Sequence, residues 1–152
     1  MKHYLLLLML IWHVITVTGQ TANPNYDADL ALELGGDDYG MKSYILVILK
    51  TGTKPSDDID FVRTAFRGHL DNIGRLVETG QLIVAGPLEK NEQTYRGIFI
   101  LNVPTVEEAK ELLQTDPAIA GGLLDADLYK WYGSAALPAY LEASDKIWKV
   151  KP

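Results

Sequence analysis

The sequence predicts an α+β domain built on an antiparallel sheet, and three observations carry that prediction. Apolar runs rich in β-branched residues recur at 43–50, 81–88, 96–103 and 123–132, each of strand length. Segments with helical periodicity separate the first run from the second and the third from the fourth. A chain of 152 residues, 47% hydrophobic, has room for one packed core and a leader.

Taken in order, residues 1–19 read as a secretory signal. Lys2 supplies a positive start, an apolar run follows from Tyr4 to Val17, and Val17 and Gly19 are small enough for the −3 and −1 sites of cleavage before Gln20. The run is short for a membrane span and His13 interrupts it. The expectation is an exported protein, periplasmic or extracellular, with no membrane contact after cleavage. Residues 20–41 are polar and read as an N-terminal arm. Within it, Asp27 can cap a short helix that Gly35 stops.

The first strand, 43–50, leads through a loop with Gly52 and Pro55 into a helix over 59–78. Its apolar arc holds Ile59, Val62, Ala65, Phe66, Leu70, Ile73, Leu76 and Val77, and Gly80 supplies a left-handed stop. A polar loop, 89–95, joins strands two and three as a hairpin. Thr105 with Glu108 forms a capping box for the second helix, which Asp116-Pro117 ends. The order is β-α-β-β-α-β, the ferredoxin-like pattern. The strands lack apolar–polar alternation, which predicts burial of both sheet faces, either in a homodimer packed sheet to sheet, the favoured reading, or in a monomer whose N-terminal arm and C-terminal tail cover the second face.

Composition narrows the function. Removing the leader takes away one of 14 basic residues and none of 20 acidic ones, so the net charge goes from −6 to −7. That argues against a nucleic-acid surface. With no cysteine, disulfides and thiolate metal sites are excluded. Neither a metal nor an organic cofactor is expected. His69 is the single histidine beyond the leader and lies at the edge of the apolar arc. It reads either as a core histidine bonded to a carbonyl or as a general acid–base group. Asp116 reads either as the cap of a new turn begun by Pro117 or as the carboxylate that orients His69. Gly86 and Pro87 end a strand under the first helix, either as a simple terminator or as backbone kept close to a ligand. Tyr44 and Trp131 are candidate pocket walls, though each taken singly reads first as core or dimer interface. Lys50, Arg96 and Lys130 are candidate anion contacts.

Three stretches together resemble a known family: RGHLDNIGRLVETGQLIVAGPL at 67–88, RGIFILNVPTVEEAKELLQTDPAIAGG at 96–122 and LYKWYGSAAL at 128–137. In order and spacing they are similar to a YciI-like (YCII-related) domain, placed at 42–140 with a tail at 141–152. The resemblance implies a ferredoxin-like unit that dimerises into an α/β barrel. It also implies an enzymatic pair falling on His69 and Asp116. The expected activity is then cofactor-independent proton transfer of the lyase or isomerase type on an unidentified small molecule. The alternative is a non-catalytic envelope module that binds a small molecule or a partner.

Overall fold

The computed structural model describes residues 22–150, so the leader expected at 1–19 lies outside the described residues. The first described helix, α1 (Ala28–Leu34), starts at Asp27, whose side chain accepts from the Leu30 amide, and ends at Gly35 with φ of 71°. Strand β1 (Met41–Thr51) follows and is longer at both ends than its apolar run. Next come α2 (Ile59–Glu78), β2 (Leu82–Pro87), β3 (Tyr95–Leu101), α3 (Val106–Gln114), a one-turn α4 (Pro117–Ala120) and β4 (Leu124–Ser134). A 3₁₀ turn at Leu137–Ala139 and α5 (Tyr140–Ser144) close the described order.

The caps explain these boundaries. Asp58 accepts from the amides of Asp60 and Phe61 at the start of α2, and Gly80, at φ of 70°, follows its end. Thr105 accepts from the Glu108 amide at 3.1 Å and its hydroxyl meets the Glu108 carboxylate at 3.0 Å. Asp116 caps α4, with Pro117 at the first helical position, where its missing N–H costs nothing.

The four strands form one antiparallel sheet in the order β2-β3-β1-β4. Val47 stands opposite Phe99 on one side and Leu128 on the other. Ile45, Val47, Leu49, Phe99, Leu101 and Leu82 face the helices and pack with Ala65 and Leu76 of α2 and Ala109 and Leu113 of α3.

The barrel expectation is overturned. The sheet is open: β2 and β4 are its edges, and neither has a further strand partner among the described residues. Four strands about 4.8 Å apart make too narrow a ribbon to curl closed. The class that stands is α+β with an open four-stranded antiparallel sheet.

Burial alternates where polarity does not: along β1, Ile45, Val47 and Leu49 are buried, while Leu46 and Ile48 between them are only half-buried. Their neighbours on that outer face, Ile98, Ile100 and Val84, are half-buried as well. Among the described residues, no helix is long and apolar enough to cross a membrane.

Candidate functional site

Helix α2 does not lie flush on the sheet along its whole length. Ala65 and Leu76 are buried, but Phe66, Ile73 and Val77 line a cavity of about 610 Å³ between α2 and strands β2 and β3. Leu70, expected in the core, stands at this cavity and is exposed, as is Ile59 at the first position of the helix. The sheet contributes Leu49, Ala85, Gly86, Pro87, Gly97 and Phe99. Gly97 has a specific reason to lack a side chain: a Cβ there would sit 2.8 Å from the Gly86 carbonyl oxygen. Asp145 and Trp148, beyond α5, complete the wall.

His69 lines the same cavity. Its Nδ1 lies 2.6 Å from Oδ2 of Asp116, and their side chains are 12% and 0% exposed. The imidazole stacks on Phe99, with centroids 5.9 Å apart and planes inclined by 22°, and Phe66 meets it edge-on at 6.2 Å. The ring is thus held on three sides. The ring's second nitrogen, Nε2, has no protein partner among the described residues and is not a sealed, unsatisfied atom.

Asp116 makes both kinds of contact, one oxygen each. Oδ1 accepts from the amides of Ala118 at 2.9 Å and Ile119 at 3.3 Å, while Oδ2 meets His69. A fully buried carboxylate is tolerated only when it is hydrogen-bonded, and these three contacts engage both of its oxygens. Gly68, the neighbour of His69, lets the corner approach: a Cβ on it would lie 2.8 Å from the Pro117 ring.

The other sequence candidates divide by the pleat of the sheet. Gly86 and Pro87 line the cavity with His69. Tyr44 and Trp131 do not. Tyr44 sits between Ser43 and the core-facing Ile45, opposite Trp131 in the pairing of β1 with β4, and successive strand residues point to opposite faces. The two rings pack at 5.6 Å, and the Tyr44 hydroxyl donates to the Ser134 carbonyl at 2.9 Å. Burial pushes the Tyr44 phenol above its usual range. Of the candidate anion contacts, Lys50 is bound to Asp127 at 2.6 Å, which raises its pKa, and Lys130 is exposed. Arg96 lines the cavity, as do the acids Glu78 and Asp145, all three on exposed residues.

Sequence reasoning missed Phe99 and Trp148 as cavity residues. They left no signal, because an aromatic in an apolar strand or a tail looks the same wherever it packs.

No protein-family model matches the chain, and no curated protein matches it either. The YciI-like resemblance is therefore overturned, together with the barrel superfamily and the exported-member description attached to it. The physical reason is visible in the stretches that suggested it. They consist of amphipathic helices, their caps and strand runs, which this element order demands of any sequence. What fold and site define together is an α+β domain with an open sheet and a buried histidine–aspartate pair on the wall of an apolar cavity.

Proposed function

We propose that the chain is a small-molecule enzyme in which His69 exchanges a proton with a ligand bound in the cavity and Asp116 fixes the imidazole. The observation that carries this reading is the division of the ring: Nδ1 is committed to a buried carboxylate, Nε2 has no protein partner among the described residues, and His69 lines the cavity. With Nδ1–H donating to Asp116, the lone pair of Nε2 can take a proton from carbon or oxygen of the ligand. The carboxylate compensates the positive charge the ring then acquires. Returning the proton to another atom of the ligand completes an isomerisation. Loss of a leaving group as an anion, with the proton passing to water, completes an elimination. The cavity size is that of a site for a small organic molecule, and its walls are largely apolar.

The test is a thermal-shift screen of small cyclic and carbonyl compounds, followed by turnover assays on the hits. A ligand at a hundred times its Kd adds about 2.7 kcal/mol of stability. Turnover that disappears in His69→Gln while binding persists supports the enzyme. Binding without turnover in the parent protein favours a non-catalytic small-molecule-binding module.

We also infer that a second copy of the chain covers the outer face of the sheet, with both sheets remaining open. The half-buried Leu46, Ile48, Ile98 and Ile100 support this, since clustered apolar surface favours association.

A further inference from the structure

We propose that Asn72 and Thr115, bridged by Arg75, are positioning residues that set the contact between Asp116 and His69. The proposal rests on reading His69 as the proton-transfer group. Asn72 lies three residues after His69 on α2 and is 7% exposed. Its Oδ1 accepts from Nη2 of Arg75 at 2.7 Å and from the Thr115 hydroxyl at 3.0 Å. Because Arg75 carries only donors, the Asn72 atom facing it must be the oxygen. The same Nη2 donates to Oγ1 of Thr115 at 2.8 Å. The single hydroxyl proton of Thr115 is then shared between Asn72 Oδ1 and the Leu112 carbonyl, 2.6 Å away.

Thr115 is the C-cap of α3 and Asp116 the N-cap of α4, so the two residues form one corner. The contacts between that corner and α2 run in opposite chain directions: Gly68 meets Pro117, His69 meets Asp116, and Asn72 meets Thr115. The catalytic contact is therefore bracketed. On one side a glycine permits close approach of the proline ring. On the other a buried amide, clamped by a guanidinium, holds the residue covalently next to Asp116. The cap bonds to Ala118 and Ile119 fix the carboxylate within its own corner. They do not fix the distance from that corner to α2; the Gly68–Pro117 contact and the clamp do.

The test needs no substrate. Thr115→Val removes the hydroxyl and keeps the shape; Thr115→Ser restores it; Arg75→Met removes the bridging donor from an exposed position. Long-range ¹⁵N–¹H spectra of the full chain, with the His69 signals assigned by their loss in His69→Gln, report the tautomer and the exchange of the Nδ1 proton with water. The expected result is several-fold faster exchange and a new Nε2–H population in Thr115→Val and Arg75→Met, and recovery in Thr115→Ser. Unchanged tautomer and exchange in a folded Thr115→Val or Arg75→Met protein overturns the proposal and leaves the cluster a purely structural link. If Thr115→Val does not fold, Arg75→Met and Thr115→Ser decide the matter. Turnover that survives His69→Gln removes the acid–base reading but not a spectroscopically demonstrated clamp.

Discussion

The carboxylate of Asp116 serves two partners at once: Oδ2 lies 2.6 Å from Nδ1 of His69, and Oδ1 caps α4 through the amides of Ala118 and Ile119. A helix cap and a histidine partner are usually separate residues. Here one buried side chain ties the start of a one-turn helix to the imidazole of another.

The two duties separate by mutation. Asp116→Asn keeps an oxygen for the cap and loses the charge facing His69. Asp116→Ala loses both, and its stability should be lower than that of the Asn variant by about 1 kcal/mol, the cap contribution. Turnover, once a substrate is found, should fall by about 100- to 10,000-fold in both. Urea unfolding and steady-state rates are the measurements, and equal stability of the two variants would sink the cap assignment.

Two glycines of α2 should respond oppositely to alanine. Gly74 has nothing within 4 Å of its missing Cβ, so Gly74→Ala should stabilise the helix by up to about 1 kcal/mol. Gly68→Ala gains the same helix propensity but drives a methyl group to 2.8 Å from the Pro117 ring, so its net effect should be destabilising. Melting temperatures of the two variants test this. A stabilised Gly68→Ala would mean that the corner yields easily and the bracket around His69 is loose.

The N-terminal arm should lend pH-dependent stability. The Tyr132 hydroxyl bonds the Asp37 carboxylate, and that carboxylate also accepts from the amides of Tyr39 and Met41. The contact pushes the Tyr132 pKa up to about 12 and holds Asp37 below its ordinary value of 3.8. A raised pKa contributes fully below the ordinary tyrosine value of 10.0 and is lost as pH climbs through about 12. A lowered one contributes above 3.8 and is lost as pH falls further. The stability difference between the parent and Tyr132→Phe should therefore be flat in between and shrink at both extremes. Denaturant midpoints across pH measure it, and a difference independent of pH at both ends would refute the tether.

Self-association should depend on the outer sheet face. Light scattering at micromolar concentration should give twice the chain mass, and Ile48→Lys, at a half-buried position on that face, should give the monomer. A parent protein that is monomeric throughout would remove the second copy.

What the sequence determined by itself was everything that is local. The helix over 59–78, its acidic start and glycine stop, the Thr105–Glu108 box and the strand runs are set by periodicity and capping, which act within a few residues. So was the singling out of His69 and Asp116, because a histidine on an apolar arc and an aspartate before proline at a helix end are both locally unusual. Tertiary structure decided the rest. It decided that Asp116 serves cap and imidazole together, which depends on how closely Pro117 can approach Gly68. It placed Tyr44 and Trp131 on the sheet face away from the cavity, through the pleat and the register of β1 with β4. It kept the sheet open. It also brought Trp148, far along the chain, to the same cavity as Phe66. Such contacts join residues distant in sequence, and no local pattern encodes them because their energy is released only when the whole core packs.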